Sequence, residues 1–129
     1  MKMVSVASRT SRAEMWRKLR DQGWPIIDRW IRETEHDMRK LWEQVDDDCT
    51  IASNLVLYVE PEDFPLKGAL IQVGMMLGLG GKVAVVMPGV KTDDTHRPIG
   101  SWIYHPNVSI HVTIEQAFKE LGIERKENA

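Results

Sequence analysis

Cysteine is nearly absent. Cys49 stands alone in the chain, so no internal disulfide and no cysteine-rich metal site can form, and the usage fits a reducing cytoplasm. The four histidines, His36, His96, His105 and His111, lack metal-ligand spacing, and neither a metal nor a cofactor is expected. A basic excess is missing too. Lys plus Arg number 17 against 19 Asp plus Glu, a net charge of −2, which is not the footprint of a protein that binds a nucleic-acid polymer or an anionic membrane. No apolar run reaches the roughly 20 residues of a membrane span, and residues 1–12 turn polar too early for a signal peptide. What is present is ordinary for a folded chain: 43% hydrophobic and 28% charged residues in a length of 129, which suits one core. One domain over 1–129 is expected, cytoplasmic, with a charged tail frayed from about residue 124.

Hydrophobic patterning alternates short apolar runs with helical stripes. Residues 3–7, 24–27, 55–59, 82–87 and 108–112 read as strands, each a continuous apolar run rather than an alternating one. Helices are expected over 11–22, with Ser11 and Glu14 spaced as a capping box, over 34–53, over 66–79, and over 113–121 with Thr113 as cap. In the second helix Asp46, Asp47 and Asp48 are assigned to the polar face. The third, apolar nearly all round, reads as packed on both sides. Continuous strands separated by helices predict an α/β fold: a flavodoxin-like, doubly wound, three-layer αβα arrangement on a five-stranded parallel sheet. Ligands of such sheets bind beyond the carboxyl ends of the strands. Here those ends present Ser8-Arg9, Asp28-Arg29-Trp30, residues 60–67, and the chain from Pro88 onward.

The most informative stretch is KGALIQVGMMLGLGG at 67–81, because Gln72 interrupts an otherwise apolar helix. Burying an amide without partners costs roughly 1 to 3 kcal/mol, so Gln72 is either bonded within the core or faces a cavity. Gly68 one turn before it, and Met75 and Met76 one turn after, make a plausible pocket floor. Lys67 and the amides near Gly68, at a helix start, suit an anionic group. Arg9 after the first strand suits a phosphate. Asp28 is a candidate for the pocket or the surface, and Trp30 for stacking on a base. The glycines at 78, 80 and 81 sit at a helix end and do not form a dinucleotide fingerprint.

Residues 55–58, the Pro-Asp loop, Gly68-Ala69-Leu70-Ile71-Gln72-Val73-Gly74, Leu77-Gly78 and Lys82-Val83, in that order, resemble the nucleoside 2-deoxyribosyltransferase-like superfamily, whose pattern is G-x-x-x-E-[LIV]-G before a glycine and a strand. The likeness extends to SVASR at 5–9, to Ser101-Trp102 and to His105-Pro106. It implies cleavage or transfer at the N-glycosidic bond of a nucleoside, a nucleotide or a nucleotide-derived molecule, with a helix glutamate as nucleophile on the anomeric carbon. Gln72 stands at that glutamate's position, and a neutral amide is a very poor nucleophile. Three explanations stay open: an engineered Glu-to-Gln change, a natural loss of catalysis with binding kept, or another acid in its place, with Glu60, Glu62 and Asp63 as candidates.

The resemblance further implies that Asp46, eight residues before Asn54, assists the leaving base, and that Ser8 and Arg9 belong to a ligand-closing loop. It places Leu66 where relatives carry an aspartate or serine. It also implies a homo-oligomer, a dimer or larger, in which Trp102 reaches a neighbouring subunit's site and 90–106 forms a lid or exchange loop. The alternative to an enzyme is a binding module that sequesters a nucleotide or an ADP-ribose-like signal. A third reading, motivated by five Trp and seven Met, is an assembly domain.

Overall fold

The computed structural model describes residues 2–32, 36–89 and 100–126. Four strands, β1 (Ser5–Ala7), β2 (Asn54–Tyr58), β3 (Lys82–Val86) and β4 (Val108–His111), pair in parallel in the order β1-β2-β3-β4. The helices are α1 (Ala13–Asp21), α2 (Met38–Ala52), α3 (Gly68–Gly78) and α4 (Ile114–Glu120). Side chains alternate across each strand, and both faces are covered. Leu55, Leu57, Val83 and Val85 pack with Val45 and Cys49 of α2 and Val73 and Met76 of α3. Val6, Val56, Ala84 and Val86 pack with Trp16 of α1 and Phe118 of α4. Two-sided burial is why these strands read as unbroken apolar runs. The fold is α/β and broadly flavodoxin-like, as expected, and no helix among the described residues is long and apolar enough to cross a membrane.

The expected fifth strand is corrected. Residues 24–27 contribute one isolated parallel bridge, Val4 to Ile26, on the edge of β1 away from β2. Pro25 has no N–H to donate, and Ile26 gives its own to Trp24 at 2.8 Å, a local turn. The next ladder position is then filled by a side chain. The Asp28 carboxylate accepts from Val6 N–H and from Ser5 Oγ, both at 2.8 Å, so the chain leaves the sheet while the β1 edge stays satisfied.

Helix boundaries depart from expectation where caps decide them. Asp37 caps α2 by accepting from the Arg39 and Lys40 amides, so the helix begins at Met38; Thr34, its expected start, lies outside the described residues. The Ser11/Glu14 capping box does not form. Residues 10–12 make a 3-10 turn that leads into α1 without a side-chain cap. Thr113 does cap α4, with Gln116 reciprocating. Asp48 is buried against Arg29 rather than on the polar face. Among the described residues α3 is packed on one side only: Ile71 is 58% exposed, and a Cβ at Gly74 or Gly78 would meet none of them within 4 Å. The tail is tied down as far as residue 126 by a hydrogen bond from Lys126 N–H to the Gly23 carbonyl. Gly23, at φ +103°, approaches that backbone so closely that a Cβ would collide with it. Residues 101–104 of the expected lid form a 3-10 turn; 90–99 lie outside the described residues.

Candidate functional site

Beyond the carboxyl ends of β1 and β2 lies a cavity of about 500 Å3, bounded by the loop after β1, by α2, and by the start of α3. Six of the ten expected site residues line it: Ser8, Arg9, Trp30, Lys67, Gly68 and Gln72. Each is placed by a specific contact or element. Ser8 Oγ accepts from the Trp16 indole at 2.8 Å and donates to the Arg9 carbonyl at 2.9 Å, so this hydroxyl is committed to holding the loop. Arg9 gives one guanidinium N–H to the Asp63 carbonyl at 3.1 Å, which leaves most of its five donors free. The Trp30 indole N–H donates to the Val6 carbonyl at 3.0 Å, pinning that ring beside β1.

At the α3 start, Leu70 and Ile71 both donate to the Lys67 carbonyl, and no side chain caps the helix. The amides of Gly68 and Ala69 have no protein acceptor among the described residues, and both residues line the cavity. A Cβ at Gly68 would already lie 3.4 Å from the Trp42 ring, so a longer side chain there would press on the indole. One turn into α3, Gln72 is only 6% exposed, and its Nε2 has no hydrogen-bond partner among the described residues. A buried amide donor left unpaired at a cavity wall costs free energy in the empty protein. An acceptor on a bound molecule would offset it.

The other four expected residues are elsewhere. Asp46 is exposed on α2, in a surface depression with Asp47, Asp48 and Arg29, away from the cavity. Asp28 is fully buried at the β1 edge and does not line the cavity. Loss of water pushes its carboxyl up to about 7, against the pull of the Ser5 and Val6 donors. Met75 lies outside the lining, partly buried. Trp102 packs against the α2–α3 core from its 3-10 turn.

The loop acids offered as substitute nucleophiles are already engaged. Arg12 reaches Glu60 at 3.0 Å, Asp63 at 3.0 Å and Glu62 at 3.4 Å, and the Tyr58 hydroxyl donates to Glu60 at 2.6 Å. None of the three acids lines the cavity.

Sequence reading missed Thr10, Leu41, Trp42, Val45, Pro65 and Ala69, and counted Leu66 only as a departure. Trp42, partly exposed on α2, forms the apolar wall facing the α3 start. Leu66, where relatives of the resembled superfamily are polar, adds apolar lining. Among the described residues, no group of three or more His, Cys, Asp or Glu is arranged to hold a metal ion. Compared with protein-family models, curated proteins and solved structures, the chain matches none.

Proposed function

We propose that this is a nucleoside 2-deoxyribosyltransferase-like protein whose cavity receives a nucleoside, a nucleotide or a nucleotide-derived molecule, and that with Gln72 in place it binds this ligand without cleaving it. The observation that carries the reading is the unpaired Gln72 Nε2, buried in the wall of a cavity about the size of such a ligand. Trp30 and Trp42 offer flat apolar surface for a base. Arg9, Lys67 and the open amides of α3 offer positive charge and donors for a phosphate. The missing carboxylates favour binding over turnover. Gln72 is neutral, Asp46 is outside the cavity, and the loop acids are paired with Arg12.

The enzymatic reading, an N-glycosidase or deoxyribosyltransferase, is favoured by one placement. Gln72 lines the cavity one turn after Gly68, where a carboxylate would reach a bound sugar. Both readings meet one experiment, a chromatographic product assay over nucleosides, nucleotides and ADP-ribose derivatives, run beside calorimetric binding. The expected outcome is binding without release of free base by the chain as it stands. Release of base by Gln72→Glu alone marks residue 72 as the nucleophile position of a disabled enzyme. Failure of every member of the panel to bind sinks both readings.

We infer in addition that the chain works in the cytoplasm, supported by its single free, buried Cys49, and that it self-associates, supported by the exposed Ile71 and Leu79 on the open face of α3.

A further inference from the structure

The cavity does not end at Trp30. A second depression of about 590 Å3 shares Thr10, Trp30 and Leu41 with it, and carries Arg17 of α1 and Arg32 of the turn after Trp30 on its wall. Arg20 stands behind them, one turn along α1 from Arg17. Burial first, then the positive charge of Arg32 and, more weakly, of Arg17, push the Arg20 guanidinium below its usual range against the opposing pull of Asp21 and Asp28. Three arginines are therefore gathered in one place, and the acceptors the fold gives them are backbone carbonyls. Arg17 Nη1 donates to Ile31 O at 2.7 Å and Arg20 Nη1 to Asp28 O at 3.4 Å. The Arg32 guanidinium makes no hydrogen bond or ion pair among the described residues. Glu14, the one carboxylate on this wall, lies 3.7 Å from Lys18.

Arginines elsewhere in the fold are treated differently. Arg12 and Arg29 each sit on buried carboxylates, Asp63 and Asp48. Like charges held together raise the free energy of the empty protein, and a bound anion relieves it. Guanidinium forks also match phosphate oxygens two at a time.

We propose that this second depression is an anion subsite, in which Arg17 and Arg32 receive a phosphate-class group of a ligand whose nucleoside end occupies the cavity on the other side of Trp30. The proposal rests on the preceding reading for that nucleoside end only. Positive groups then line both of the adjoining depressions, Arg9, Lys67 and the α3 amides in one and Arg17 and Arg32 in the other. The ligand class is a nucleotide whose phosphate chain extends beyond one group, such as a diphosphate-linked one, in preference to a nucleoside monophosphate.

Calorimetric titration with three probes tests it: inorganic pyrophosphate, AMP and ADP-ribose, on the intact chain, on Arg32→Met, on Arg17→Met/Arg32→Met, and on Gln72→Leu. ADP-ribose is expected to bind at least tenfold tighter than AMP. The double variant should erase that advantage while leaving AMP within about twofold. Pyrophosphate binding should be lost in the double variant and kept in Gln72→Leu. Arg32→Met alone, at an exposed residue that holds nothing in the fold, should weaken pyrophosphate at least threefold, so loss of binding cannot be laid to misfolding. Pyrophosphate that fails to bind, or binds every variant alike, overturns the proposal. If AMP and ADP-ribose fail to bind while pyrophosphate still depends on Arg17 and Arg32, the nucleoside reading of the main cavity falls and the anion subsite stands.

Discussion

The turn after β2 and the edge of β1 sit side by side at the same end of the sheet, and they treat buried polar groups in opposite ways. After β2, Asp63 is buried against Arg12 and also accepts from the Glu60 amide at 2.9 Å, while Arg12 lies over the Tyr58 ring, 5.6 Å from its centroid. Each acid there has a partner in the one Arg12 guanidinium, and that guanidinium's donors are spent. Along β1 Asp28 is buried with two donors but no ion-pair partner, and in the cavity wall Gln72 is buried with an Nε2 that has no partner among the described residues. A satisfied network adds stability and specifies one conformation; an unsatisfied one lowers stability and is retained where something else completes it. The contrast sets a region whose buried groups are partnered within the fold beside one that leaves a buried donor open at a cavity wall.

Removing the uncompensated charge gives the largest effect. Asp28 titrates near 7 in the folded protein and at 3.8 in the unfolded chain. Between those values the folded state holds the extra proton, so stability falls as pH rises from about 4 to about 7 and does not recover above that. Three pKa units correspond to about 4 kcal/mol as an upper bound. Asp28→Asn keeps an acceptor for Val6 N–H and carries no charge. Denaturant unfolding at pH 5 and pH 8 should show the variant gaining on the parent chain at the higher pH. An equal difference at both values would mean that Asp28 keeps an ordinary carboxylate pKa.

Breaking the Arg12 network should have the next largest effect, in the opposite direction. Arg12→Met leaves Asp63 buried without its cation, and the expected loss is about 2 to 3 kcal/mol, below the fully buried range because a quarter of the Arg12 side chain is exposed. Thermal unfolding reads it. Ligand binding in the cavity should survive at temperatures where the variant is folded, because Arg12 does not line it.

Gln72→Leu sharpens the contrast from the other side. It removes the unpaired donor, so the empty protein should be unchanged or more stable by about 1 kcal/mol, while the nucleotide panel should bind at least tenfold more weakly. A clear loss of stability would show that Gln72 belongs to the scaffold.

These regions were not equally legible in the sequence. Buried parallel strands announce themselves as unbroken apolar runs, so β2 and β3 fall within a residue of expectation, and the strand-end rule led to Ser8, Arg9, Trp30 and Lys67. Gln72 stood out as a polar residue in an apolar helix. Asp28 could not be read as a strand substitute, because a side chain completing a backbone ladder leaves no periodic trace. Asp48 could have been placed, since Val45, Asp48, Cys49 and Ala52 follow the helical spacing of one buried face. Trp42 could not. Whether an apolar residue at the near end of α2 meets the sheet or walls a cavity depends on how the helix crosses α3, which its own sequence does not encode.

The smallest effect concerns the open face of α3. A Cβ at Gly74 meets nothing in one copy of the chain, so Gly74→Ala in an isolated monomer should raise stability by about 0.5 to 1 kcal/mol through helix propensity alone. If a second copy packs its own α3 here, the glycines at 74 and 78 allow close approach and the methyl group would stand in the contact. The gain should then vanish or reverse, and the variant should dissociate at a higher concentration in light scattering. A full stability gain with no change in assembly would place any self-association elsewhere, and leave Ile71 and Leu79 as ordinary exposed apolar surface.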